Sequence, residues 1–256
     1  MLLALDAGNT NITIGVFRDG VLAERWRLRT VHDQTEDEWG VLLRNLFALS
    51  SLDFSLIDGV IISSVVPPLD PILRAMSRQY LDRDPVFVNH ETDTGLKIAY
   101  DDPREVGADR IVNGVAAYHL YGGPCIVVDF GTAITFDAVS REGVYLGGVI
   151  TAGIGVSISA LFAKTARLPM VEFREPAKLI GTNTVGSMQS GFYHGAISMI
   201  DGMIERLAAE LGGDVKTVAT GGHAELIVRG SRYLKQANDE LTLEGLYLIW
   251  KRLKAK

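Results

Sequence analysis

Apolar residues fill positions 2–5, stop at Asp6, and resume over 12–17 around Thr13 and Gly15; a third strand-like segment at 21–28, carrying Glu24, Arg25 and Arg27 among its apolar residues, follows the turn Arg18-Asp19-Gly20. Short apolar runs bounded by Gly, Asp and Asn predict strands, so the chain opens as a β-meander. The period then changes. Trp39, Leu42, Leu43, Leu46 and Phe47 recur at helical spacing and predict a helix over 37–49. A strand is expected at 60–63, a break at Pro67-Pro68, a helix over 69–81 and a strand at 86–88. A long amphipathic helix is expected over 105–121, with Ile111, Val112, Val115 and Ala116 on one face, closed by Gly122-Gly123-Pro124.

The opening pattern then returns. Residues 126–128 end in Asp129, Phe130-Gly131-Thr132-Ala133 follow, and strands are expected at 134–139 and 144–150 around the turn Ser140-Arg141-Glu142-Gly143. Asp6, Gly8 and Gly20 align with Asp129, Gly131 and Gly143 at a constant offset of 123, and each Asp precedes its turn Gly by 14 positions. Two such copies predict a duplicated domain. Helices are expected over 155–167, 185–211, 224–229 and 243–253, with a strand at 215–220 ending in Gly221-Gly222. No linker composition separates the halves, so domains are expected at 1–118 and 119–256 with a cleft between them.

Of the 256 residues 47% are apolar, which places the chain among globular proteins, and the net charge of −6 argues against a nucleic-acid binder with a general basic surface. The single cysteine, Cys125, sits in an apolar run and reads as a small buried residue. Asp6 cuts short the only leader-like stretch, and no run approaches the ~20 apolar residues of a membrane span. A soluble cytoplasmic protein without membrane contacts is expected.

The two Asp-x-Gly turns carry the first candidate chemistry. A carboxylate at a strand end can hold a cation, and the Gly after it lets backbone approach a phosphate. Asn9-Thr10 and Thr132-Ala133 add donors without bulk. Taken singly, such turns are ordinary hairpin features; their duplication favours the functional reading. Thr220-Gly221-Gly222-His223 offers a flat backbone surface for a nucleotide base, or an ordinary helix-leading turn. No G-x-x-x-x-G-K-[ST] loop occurs, and Ile158 stands where a dinucleotide fingerprint starting at Gly153 needs its third Gly. In the middle segment, Gly107 within the expected helix costs about 1 kcal/mol relative to Ala, which suggests that something requires close approach there. A helix start binding an anionic substrate, with Arg110 as clamp and Asp109 as base, accounts for it; a salt-bridged helix rim is the plain alternative.

Two phosphate turns and a Gly-Gly turn on a duplicated meander resemble the actin-like ATPase superfamily of sugar kinases, 70-kDa chaperones and actin. The resemblance implies an α/β fold of two ribonuclease-H-like domains, each a mixed five-stranded sheet with flanking helices. A closer one covers the whole chain. Asp6-x-Gly8-Asn9-Thr10, Tyr100, Asp102-Pro103, Gly107-Ala108-Asp109-Arg110, Asp129-x-Gly131-Thr132-Ala133, Gly181-x-x-Thr184 and Gly221-Gly222 together resemble the type III pantothenate kinases. That resemblance implies phosphorylation of pantothenate by ATP with Mg²⁺, the first step of coenzyme A synthesis. It implies ATP binding by Asp6, Ala7, Gly8, Asn9, Thr10, Asn11, Ile12, Thr13 and Thr132. It implies pantothenate binding by Tyr100, Gly107, Ala108, Asp109, Arg110 and Thr184, with Asp109 as general base. It also implies a potassium or ammonium ion at Asp129, and a homodimer.

Two other readings stand beside it. One is a non-catalytic, nucleotide-dependent regulatory factor on the same fold, which would need no hydroxyl-activating base. The other is a superfamily kinase or phosphatase with a different substrate. His90, His119, His194 and His223 lack metal spacing, Met199 and Met203 fit a helix face, and residues 251–256 form a basic helix tail.

Overall fold

The computed structural model describes residues 1–255; Lys256, the last residue of the basic tail, lies outside the described residues. In chain order the main elements are β1 (Leu2–Ala7), β2 (Asn11–Arg18), β3 (Val21–Arg29), α1 (Glu36–Leu49), β4 (Gly59–Ser64), α2 (Asp70–Leu81), β5 (Val86–Phe87), β6 (Lys97–Ile98) and α3 (Ala108–Tyr121). There follow β7 (Cys125–Phe130), β8 (Ala133–Val139), β9 (Val144–Ala152), α4 (Ile154–Lys164), α5 (Thr184–Leu211), β10 (Lys216–Gly221), α6 (Ala224–Gly230) and α7 (Leu241–Lys254). The chain forms two compact units. Among the described residues the first holds Met1–Gly95, Asp101–Ala116 and residues 242–255; the second holds Leu96–Tyr100 and Ala117–Leu241.

The first unit is a five-stranded sheet in the order β3-β2-β1-β4-β5. The meander pairs antiparallel, and β4 joins β1 in parallel. Alternation sends Leu3, Leu5, Ile12, Ile14, Val60 and Ile62 to one face, where Trp39, Leu43 and Phe47 of α1 and Leu73 and Met76 of α2 cover them. A capping box holds the start of α1: Glu38 N–H donates to Thr35 Oγ1, and Thr35 N–H donates to Glu38 Oε2.

The final helix, α7, packs with this unit although it follows the second unit in sequence. The Tyr247 ring stacks on Phe17 with centroids 4.8 Å apart. Three glycines let α7 come close: a methyl on Gly15 would lie 2.9 Å from Leu243, one on Gly59 2.0 Å from Trp250, and one on Gly245 2.3 Å from the Val112 carbonyl oxygen. Met1 and Ala255 border one pocket of about 400 Å³, floored by Tyr247 and Trp250. These contacts explain why α7 belongs to a unit that the boundary expected at 118/119 separates from it.

The second unit repeats the plan, with sheet order β10-β7-β8-β9-β6. β1 and β7 share one burial pattern, and β8 repeats that of β2. Ile126, Val128, Ile134 and Phe136 form the core with Ile154 and Ile158 of α4, Ile200 and Ile204 of α5, and Ile227 of α6. The fifth strand sits differently. β5 extends the first sheet beyond β4, whereas β6 joins the second beside β9. Two residues carry too little pattern to reveal β6 in the sequence. These two mixed five-stranded sheets with flanking helices are the duplicated α/β arrangement of the actin-like ATPase and sugar-kinase fold.

One expected helix is shorter than its pattern. α3 starts at Ala108, not 105; Pro103–Glu105 form a separate 3₁₀ turn and Gly107 lies between the two. Gly107 therefore pays no cost of the helix interior. Its carbonyl accepts the first bonds of α3, from Arg110 N–H at 3.1 Å and Ile111 N–H at 3.2 Å.

Candidate active site

In the first unit, the strand-end turn that raises phosphate-binding chemistry is closed by its own backbone. Gly8 N–H donates to the Asn11 carbonyl (3.0 Å), and Thr30 anchors the turn from β3's end through Oγ1 to the Gly8 carbonyl (2.6 Å) and N–H to the Thr10 carbonyl (3.0 Å). Asn9 and Thr10 are exposed at its tip. Ile12 and Ala7 are fully buried, backbone and side chain alike, and face each other across the β1–β2 ladder.

Asp6 stands in a row of hydroxyls. Its register partners are Thr13 on β2 and Ser63 on β4. Ser63 is fully buried, and its hydroxyl has no hydrogen-bond partner among the described residues. The second unit has the same row: Asp129 on β7 pairs with Thr135 on β8 and Thr220 on β10. Thr13 corresponds to Thr135 even though it lies seven positions after its Asp and Thr135 lies six. The first turn is longer by one residue, and the equal Asp-to-Gly spacing hides this because the Ser140–Gly143 turn makes up the difference. Ser63 and Thr135 carry no motif; only strand register brings them to the carboxylates.

At the α3 start, Asp109 turns back over its own backbone, and Oδ1 accepts from Arg110 N–H at 2.8 Å. The need for Gly107 is now concrete: a methyl there would lie 2.5 Å from Asp109 Oδ1 and 3.4 Å from Val65 Cγ1. The residue keeps some exposed surface, but its carboxyl is desolvated, and this burial raises its pKa above the ordinary 3.8 against the lowering pull of the Arg110 backbone bond and charge. Ala108 and Arg110 are buried beside it, Arg110 at 7% exposure. Asp102 caps the preceding 3₁₀ turn and holds the Arg104 guanidinium at 2.8 Å.

In the second unit, Gly131 N–H donates to the Ala133 carbonyl (3.0 Å), and Thr132 is exposed. Gly153 packs under this turn, where a methyl would meet the Thr132 and Gly131 carbonyl oxygens at 2.3 and 2.5 Å. Gly221, at φ +88°, lies against Asp129: a methyl there would sit 2.6 Å from Oδ1. Asp129 thus has a small cradle lined by glycine, flanked by threonine hydroxyls and backbone carbonyls. Neutral oxygens around one carboxylate suit a hard cation of low charge. No cluster of three His, Cys, Asp or Glu side chains able to hold a metal occurs among the described residues.

Tyr100 and Thr184 also lie in the second unit. The Tyr100 ring covers Gly147 of β9, where a methyl would be 3.1 Å from Cε2. Thr184 is the exposed first residue of α5, after the cap Asn183, whose Oδ1 accepts from Gly186 N–H at 2.8 Å. Gly181 packs on that first turn, where a methyl would meet Ser187 N at 2.3 Å. Arg174, Lys178, Gly181 and Asn183 border a hollow of about 560 Å³ beside it. Cys125 is buried, its thiol pushed up to about 12 by desolvation, and has no reactive character. No helix among the described residues is long and apolar enough to cross a membrane.

Comparison with known proteins converges with this geometry. A sequence model of the type III pantothenate kinase family matches residues 2–206. A type III pantothenate kinase of Solibacter usitatus is 62% identical over 252 residues, covering 98% of this chain and 97% of its own length. One of Koribacter versatilis is 56% identical, covering 98% and 96%. Among solved structures, the ADPNP-bound activator of the 2-hydroxyisocaproyl-CoA dehydratase from Clostridium difficile superposes with a TM-score of 0.58 at 11% identity, covering 100% of this chain and 97% of that one; it speaks to the fold alone. Two copies of one strand-turn device, the Gly-Ala-Asp-Arg helix start and full-length kinship lead to the same place: the chain belongs to the type III pantothenate kinase family.

Proposed function

We propose that Asp109 is the general base of the ATP-dependent phosphorylation of pantothenate that this family performs. The desolvated carboxyl at the start of α3 carries the reading. A carboxylate stripped of water is a stronger base than one in solvent, and here that effect outweighs the lowering pull of the Arg110 backbone bond, which holds the group in place. It takes the proton of pantothenate's primary hydroxyl as that oxygen bonds to the γ-phosphorus and the bond to ADP breaks. Products are 4′-phosphopantothenate, ADP and a proton. The transition state is loose, so positioning and charge neutralisation supply most of the acceleration.

Pantothenate is held by Tyr100, Gly107, Ala108, Asp109, Arg110 and Thr184. Arg110 orients it or balances its carboxylate. Residues 6–13 and Thr132 bind the ATP phosphates through backbone N–H groups and hydroxyls. The sequence halves 1–118 and 119–256 supply one phosphate turn each. Asp129 and its oxygen neighbours fit potassium or ammonium, which would supply fixed positive charge beside a phosphate; Mg²⁺ would accompany ATP. A homodimer is part of the same proposal.

The test is a coupled assay of ADP release with ATP, Mg²⁺, K⁺ and pantothenate, on the wild type and on Asp109→Asn. Pantothenate-dependent turnover that falls by at least about 10²-fold in the variant is expected. Turnover unchanged in the variant would remove Asp109 as base, and no pantothenate-dependent turnover in the wild type would favour the regulatory reading.

A further inference from the structure

The two units carry matching Thr-Asp-hydroxyl rows but differ one step behind the threonine. The residue two beyond Thr13 on β2 is Gly15, which gives its space to Leu243. The residue two beyond Thr135 on β8 is Asp137, fully buried at 0% exposure. A carboxylate without solvent is costly unless hydrogen-bonded. Here the buried Tyr145 hydroxyl donates to Asp137 Oδ1 at 2.7 Å, and Thr135 Oγ1–H donates to Oδ2 at 3.1 Å. Gly148, opposite Asp137 across β8–β9, brings no side chain to the pair.

A hydroxyl has one proton and two lone pairs. With its proton committed to the carboxylate, Thr135 Oγ1 can only accept or ligate. Thr135 is half-buried and faces Asp129 directly across the β7–β8 register, a spacing of about 5 Å between Cβ atoms. The fold therefore keeps a buried carboxylate only behind the threonine of the unit for which a cation is proposed.

We propose that Thr135 is a ligand of the monovalent cation at Asp129, and that Asp137, steadied by Tyr145, is a positioning residue that turns the Thr135 oxygen toward it. This rests on the reading of Asp129 as a cation site. It assigns the cation a neutral ligand on β8 and explains why its support is absent from the first unit.

The experiment measures cation binding without turnover. Thermal unfolding midpoints are followed as KCl, or thallium(I) acetate as a potassium surrogate, replaces a choline salt at constant ionic strength, with NaCl as comparison. The wild type should be stabilised by K⁺ or Tl⁺ more than by Na⁺. Thr135→Val and Asp137→Asn should raise the half-saturating concentration by about 10- to 100-fold, while Thr135→Ser, which keeps the hydroxyl, should stay near wild type. A Thr135→Val protein that binds K⁺ as the wild type does would overturn the inference even if Asp137→Asn fails to fold. A wild type with no preference for K⁺ over Na⁺ would instead overturn the cation site itself, and the inference with it.

Discussion

At the scale of the residue, Asp109 sets a balance between activity and stability. Its folded pKa is raised by burial, so the folded chain keeps a proton that the unfolded chain releases as pH climbs past 3.8. Stability from this group is intact below 3.8 and falls as pH rises toward the folded value. The deficit persists at neutral pH. Asp109→Asn should therefore melt at a higher temperature than wild type at pH 7, with the gap closing near pH 4, while turnover is lost. A lower melting point at pH 7 would contradict this. In the wild type the acid limb of kcat/KM should lie above the range of an ordinary carboxylate. How much of this is legible in the sequence differs residue by residue. Gly107-Ala108-Asp109-Arg110 stands out as a string, but the reason for Gly107 does not: it makes room for the Asp109 carboxyl outside the helix. Ser63, Thr135 and Asp137 stay hidden, because their meaning lies in which strands pair, and pairing is not local.

At the scale of the element, the meanders and most helices follow from hydrophobic period, and their observed ends extend or retreat by a few residues. β1 runs to Ala7, beyond the apolar stretch, because β2 and β4 pair with it as far as Asp6 and beyond. The late start of α3 comes from the separate 3₁₀ turn ahead of it, which Pro103 opens and Val106 closes. The placement of α7 could not be read from its own stripe, which says only that one face is covered. Its docking depends on backbone closeness at Gly245, where a methyl would lie 2.3 Å from the Val112 carbonyl oxygen. Gly245→Ala should push α7 off α3 and destabilise the protein by about 1–3 kcal/mol, despite alanine's better helix propensity. Chemical denaturation would read this as a lower midpoint; an unchanged or raised midpoint would show that the two helices slide apart freely.

At the scale of the whole molecule, duplication is the most legible feature, since Asp6 and Asp129 announce it at constant spacing. Association is less so. The second unit leaves Leu146 and Ile150 of β9 exposed at 44% and 61%, and Val156, Leu161 and Phe162 of α4 are exposed as well. Apolar surface on neighbouring elements suits a partner copy, in keeping with the proposed homodimer. Sedimentation velocity should give a dimer for the wild type and a monomer for the pair Ile150→Glu and Phe162→Glu. A monomeric wild type at micromolar concentration would refute it.

The course of the chain has a mechanical corollary. Met1 and Ala255 border the same pocket of the first unit, and the second unit is made of two excursions from it, the short Leu96–Tyr100 and the long Ala117–Leu241. Tension applied to the two ends is therefore borne first by α7 against the Phe17 side of the sheet, in the first unit alone. The second unit feels no load until the first gives way. An optical-tweezers trace pulled from the ends would then show two ruptures in a fixed order, with the unit carrying Asp129 and its supporting carboxylate the last to yield.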